Sequence, residues 1–381
     1  MSQSKHAKIE NVKHLFSPRL ERLNLLFPLL FIVPVVWEFC FEPTFSLQDR
    51  NYGNFVAKIL FLNHVHIYFS FALILWAPEI RNWVRIKSNE ISFLKTRAFA
   101  VFLSVFAIYN WLLPLVKDSS SAPVIYECMI AVAAIVGLHH NYSQTLGLSL
   151  GYNQGARPSA VLERSERALV MLMMISQFSR MILLIVAGEL KMLSMVLGAT
   201  TGLAAVLLVV VGLCHPQSFK AKKFFMIRYL YFAAMPFSFT ALIAMLANHG
   251  IEYFCVFRQM QNASIESSGL SRKVVTFGSV FFVAALTMLA VFGQSRVGYW
   301  ITPLLPEDSR LALYLSSLAI AASFLHYHLD GLMFRMRDPS TAALVGPLLF
   351  NDSQIATVQS SGFQVGSRST KGSNRLKRVA P

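Results

Sequence analysis

Seven of the ten histidines fall within long apolar stretches of the chain: His64, His66, His139, His140, His249, His326 and His328. His6, His14 and His215 lie outside those stretches or at an end. Ionisable groups are costly inside a bilayer and usually face a bundle interior, so such histidines point to function. Helical spacing then sorts them. In His139-His140-Asn141-Tyr142-Ser143-Gln144, His140 and Gln144 share a face at i, i+4. His249 and Glu252 share one at i, i+3, and His326 and Asp330 at i, i+4. In Asn63-His64-Val65-His66 the histidines are two apart and point to different faces, so one of them faces a given centre.

Two runs thus offer an imidazole and a carboxylate on one face, a donor set that suits iron, zinc or manganese. Ferritin-like di-iron bundles use Glu-x-x-His projecting inward, and His249-x-x-Glu252 has that spacing in reverse order. The expected metal ligands are His64, His139, His140, His249, Glu252, His326 and Asp330. The cofactor expected is iron, as one or two ions, with zinc or manganese as alternatives. Tyr253 and Arg180 are the candidate catalytic residues, with Tyr253 and Gln144 orienting ligands. Arg180 is placed to pair with Glu252 or Asp330, to bind an anionic substrate head, or to snorkel to the interface. A single membrane histidine is more often a hydrogen-bond partner between helices than a ligand. The cluster on four runs, two with paired acids, shifts the balance towards a site.

The elements that must position these residues read as transmembrane helices. The 381 residues are 55% hydrophobic and 14% charged, against about 25% charged in average soluble domains. Apolar runs lie near 24–42, 54–77, 98–117, 122–150, 168–188, 192–214, 226–257, 274–294 and 310–335. Each is long enough for the roughly 20 residues that span a bilayer core, and the alternation of a β-barrel is absent. The fold class expected is an all-α, polytopic transmembrane helix bundle of eight to ten spans. Residues 1–23 form a basic cytoplasmic segment, 24–338 the bundle and 339–381 a flexible basic tail.

Loop charges place the N-terminus in the cytoplasm of a cell-membrane protein. Segments 78–97, 151–167 and 215–225 are rich in Lys and Arg, whereas 43–53, 118–121 and 189–191 are not. Nine runs would then put the tail outside, although Arg335, Arg337, Arg368, Lys371, Arg375, Lys377 and Arg378 make it basic. An even count, with both ends inside, resolves this conflict. It also brings the histidines of the late runs to the level of His139 and His140. The 226–257 run is too long for one straight crossing, and Pro236 marks a candidate break within it.

Net charge is +15, which fits basic cytoplasmic loops, and no nucleic-acid-binding motif accompanies it. The four cysteines are far apart and form no CxxC pair. Clustered histidines in a helical membrane bundle resemble the membrane desaturases and hydroxylases, including carotenoid-modifying enzymes. That resemblance implies two irons held by histidine boxes and oxygen activation against lipid chains. The group's HxxxH and HxxHH boxes are absent here, so no residue is carried over from it.

The function expected is a metal-dependent membrane oxidoreductase of oxygenase, hydroxylase or desaturase type. Its partners would be the lipid bilayer, an apolar lipid or isoprenoid substrate, and a separate redox protein, since no nucleotide-binding fingerprint appears. Two other classes use the same residues. Intramembrane His, Asp and Glu serve as proton relays in transporters, and two facing imidazoles bind haem.

Overall fold

A computed structural model describes residues 15–41, 66–90, 94–112, 122–152, 160–186, 191–214, 220–235, 237–268, 271–293, 310–334 and 338–349. Helix is the only regular element among them. Three helical segments are long and apolar enough to cross a membrane: Pro18–Phe41, Met192–Leu213 and Thr240–Glu266. The first comprises α1 (Pro18–Leu26), a 3₁₀ stretch at Phe27–Phe31 and α2 (Ile32–Phe41). There follow α3 (His66–Trp76), α4 (Pro78–Glu90), α5 (Leu94–Ala107), α6 (Ala122–Gly151), α7 (Ala160–Val186) and α8 (Lys191–Cys214). The chain continues through α9 (Lys220–Phe225), α10 (Ile227–Ala234), α11 (Phe239–Ser268), α12 (Arg272–Gly293), α13 (Arg310–Met333), α14 (Pro339–Leu344) and α15 (Gly346–Leu349).

The long run expected at 226–257 is divided between α10 and α11, with Pro236 in the interval. Proline has no amide hydrogen and cannot continue the helical ladder. The opening amide of α11 is satisfied from another element: Glu38 of α2 accepts from Thr240 N and Ser238 Oγ, each at 2.8 Å. A buried carboxylate is favoured there because the unpaired amides give a helix N-terminus partial positive charge.

The chain from α9 to α11 runs back along α8. A Cβ at Gly212 would stand 2.9 Å from Met226, and one at Gly198 would stand 2.5 Å from Phe237. Glycine at these positions lets the segments approach closely. Along α1 and α2 the order is parallel, since Arg228 contacts Asn24, Tyr231 contacts Pro28 and Ser238 contacts Glu38. Along α7 it is also parallel, with Lys222 on Glu166 at 2.6 Å and Gln177 on Phe232.

Residues 339–349, the start of the segment read as a tail, form α14 and α15. Asp338 caps α14 by accepting from Thr341 N at 2.9 Å, and Lys87 Nζ lies 2.6 Å from Asp338. Trp83 Nε1 donates to Thr341 Oγ1 at 2.9 Å, and Val345, Leu348 and Leu349 are buried. This packing is the physical reason these residues are ordered against α4.

The surface is strongly apolar, and several charged side chains lie inside beside the apolar core clusters. Large apolar side chains cover outward faces, among them Val33 and Trp37 on α2, Met192 and Leu203 on α8, and Phe277 and Phe281 on α12. Arg228, Lys222, Glu252, Glu166 and Asp330 are buried.

Candidate metal centre

Four helices each bring one imidazole to a common point: His66 from α3, His140 from α6, His249 from α11 and His326 from α13. All four are buried. Ring centroids are 4.5 Å apart for His66 and His249, 4.9 Å for His66 and His326, 5.0 Å for His140 and His326, and 5.1 Å for His140 and His249. Asp330 lies one turn beyond His326 on the same face. Its Oδ2 is 3.5 Å from His326 Nε2 and 3.8 Å from His140 Nε2.

Two overlapping ligand sets result, His66 with His140 and His249, and His140 with His326 and Asp330. Within each set the donor atoms lie within 4.8 Å of one another, and His140 belongs to both. His249 Nε2 and His66 Nε2 stand 3.2 Å apart. Two ligands on one tetrahedral ion, each bonded at 2.0–2.1 Å, stand about 3.4 Å apart.

Hydrogen bonding leaves this centre short of partners. Among the described residues, His140 Nε2, His326 Nε2 and Asp330 Oδ2 are buried and accept or donate nothing. An unmet buried polar atom costs roughly 1–3 kcal/mol. A cation between these three would satisfy all of them at once.

The other side of His326 and of Asp330 is held. Ser70, one turn after His66 on α3, lies 2.8 Å from His326 Nδ1 and donates to Asp330 Oδ1 at 2.9 Å. With its proton on Asp330, Ser70 accepts from Nδ1–H of His326. That assigns the neutral tautomer whose Nε2 lone pair faces the centre. Tyr253 donates to Asp330 Oδ1 at 3.1 Å and also contacts Ser70. Such outer contacts orient metal ligands in known sites.

The expected residues divide accordingly. His140, His249, His326 and Asp330 are brought together, and Tyr253 lies against them. His64 lies outside the described residues, and His66 faces the centre. His139 is exposed, because one residue along a helix turns the side chain through about 100°. Glu252 is directed away from the histidines. Its Oε1 pairs with Arg228 Nε at 2.7 Å, and its Oε2 accepts from Thr145 at 3.3 Å and Gln144 at 3.4 Å. A cation already beside it replaces the metal that the His249-x-x-Glu252 spacing suggested. Arg180 lies outside the centre, with Nε donating to Ser194 Oγ at 3.0 Å and its guanidinium 4.4 Å from the Phe237 ring.

Spacing carried a signal for one residue that sequence reasoning missed: Ser70 stands at i, i+4 from His66, as Asp330 does from His326. Arg228 and Asn24 carried none, because their partners are remote in sequence. Comparisons with known protein families, with curated proteins and with solved structures find no match to this chain.

Proposed function

We propose that the chain is a multi-pass membrane protein whose His66, His140, His249, His326 and Asp330 hold a transition-metal ion, and that it is an oxidoreductase acting on a lipid or isoprenoid. The observation that carries this reading is the set of unpartnered imidazole and carboxylate atoms facing one another inside the bundle. Four nitrogens and one oxygen form a borderline donor set suited to iron, with manganese or zinc as alternatives. His140, shared between both ligand sets, leaves room for one ion or two. Iron in such a site supplies binding and activation of oxygen. The protein's part is to fix ligand orientation through Ser70 and Tyr253, and to keep water away through the surrounding apolar helices.

The ring packing favours a bare ion over haem. His66 and His249 meet nitrogen to nitrogen at 3.2 Å, and a porphyrin plane does not fit between rings in contact. Electrons would come from a separate redox protein in the cell membrane.

The test is metal analysis of the full chain purified in detergent from cells grown with iron. Stoichiometric iron is expected, and a His140→Ala/His326→Ala variant that elutes as the wild type does should lack it. Wild-type protein that takes up no metal on reconstitution would sink the reading, as would a double variant that retains it.

A further inference from the structure

A cavity of about 110 Å³ lies between α6, α11, α15 and the N-terminal segment. Its walls are mainly apolar, formed by Leu15, Phe16, Leu148, Val256, Phe334 and Leu349. Gly147 on α6 also lines it, and a Cβ there would meet no atom within 4 Å. Ser143 and Gly147, both on the outer surface of α6, border the cavity and remain exposed. The mouth therefore opens sideways, across the flank of a long apolar helix and not through a helix end.

The cavity adjoins the metal centre. Gln144 borders it and stands one turn from His140, about 6 Å along the helix. Phe334 borders it too, and its ring meets Tyr253 edge-on at 6.4 Å between centroids. Tyr253 in turn touches Asp330. Apolar walls, a lateral mouth and a path of one turn to the ligands together define the ligand class.

We propose that this cavity receives a hydrocarbon segment of the substrate, entering sideways from the lipid past Ser143 and Gly147. It deepens the oxidoreductase reading and rests on it. An engineered 150 Å³ cavity lined by Leu, Ile and Phe holds benzene. The present volume therefore accepts a short stretch of acyl chain or about one branched isoprene unit, and excludes a fused-ring sterol. Gln144 Nε2 donates to Glu252 at 3.4 Å while, among the described residues, its Oε1 accepts nothing, so the cavity sets one acceptor among apolar walls.

The test is photo-crosslinking of the full chain in lipid nanodiscs, followed by peptide mass spectrometry. One arm uses a phospholipid with a diazirine in its acyl chain, the other a diazirine-bearing isoprenoid alcohol. Saturable labelling is expected in the peptides carrying Ser143–Gly151 and Leu349. Gly147→Leu should reduce it at least tenfold, because it adds a side chain at the cavity's border where a Cβ meets open space, and should leave bound iron unchanged. Gly202→Leu, whose added side chain also meets open space but lies on α8, should leave labelling unchanged. The stronger arm identifies the chain type.

Labelling spread over the outward faces of α8 and α12, and indifferent to Gly147→Leu, would overturn the cavity while leaving the metal reading intact. Saturable labelling on a protein without metal would uphold the cavity and overturn the metal reading.

Discussion

At the scale of residues, neighbouring histidines face different surroundings. His140 is buried in the centre and His139 is exposed on the other side of the same turn. His140→Ala is expected to weaken iron binding more than 100-fold, and His139→Ala to change it less than twofold, in competition with a chelator. Ser70→Ala should fall between, with a loss of about 10–100-fold, the range typical of groups that orient ligands. Equal losses for His139→Ala and His140→Ala would show that the two imidazoles are merely structural. The residue pattern was legible in part. Spacing showed that His326 and Asp330 share a face, because i, i+4 arithmetic is local. It left open which of His64 and His66, or of His139 and His140, turns inward, since the roll of a helix is set by what packs against it.

At the scale of elements, the Arg228–Glu252 pair joins α10 to α11, and Asn24 ties both to α1 through a 2.8 Å bond from Arg228 Nη2. Both charges are buried. Removing one partner of such a pair strands the other and costs about 3–5 kcal/mol. Arg228→Met should therefore lower the unfolding temperature in detergent sharply, and Arg228→Met/Glu252→Gln should recover most of the loss. On the proposed metal reading, Glu252→Gln alone should keep its iron, because the Glu252 carboxylate pairs with Arg228 and not with the histidines. Loss of iron from Glu252→Gln would restore Glu252 to the ligand set. No periodicity could have exposed this pair. Its members lie on different helices, and a spacing of three residues from His249 made Glu252 look like a ligand when its nearest cation was remote in sequence.

At the scale of the whole molecule, we propose one arrangement that meets both the charge conflict in the sequence and the neighbours of α9 and α10. The nine apolar runs left a basic tail on the wrong side. The segment from Lys222 to Ser238 touches α8 in reverse order, at Gly212 and then at Gly198, and touches α1, α2 and α7 in forward order. Sixteen residues of helix rise about 24 Å, most of the roughly 30 Å hydrocarbon core. In that arrangement the 226–257 run joins the end of one crossing, which carries the buried Lys222 and Arg228, to the start of another. Counting Lys220–Met235 as a crossing would give ten, would place α6, α11 and α13 in one direction and would return both termini to the cytoplasm. Their contacts agree, because α6, α11 and α13 meet at the histidine cluster, and further along, α6, α11 and Phe334, just past α13, meet again at the cavity. In a cysteine-free background, Ser218→Cys, in the basic segment 215–225, should react with a membrane-impermeant maleimide only after cell lysis. Phe237→Cys, exposed on the far side, should react in intact cells. Green fluorescent protein should fluoresce when fused to either end. If Ser218→Cys and Phe237→Cys label from the same side, the segment between them does not cross, the count returns to nine and the basic tail stands outside.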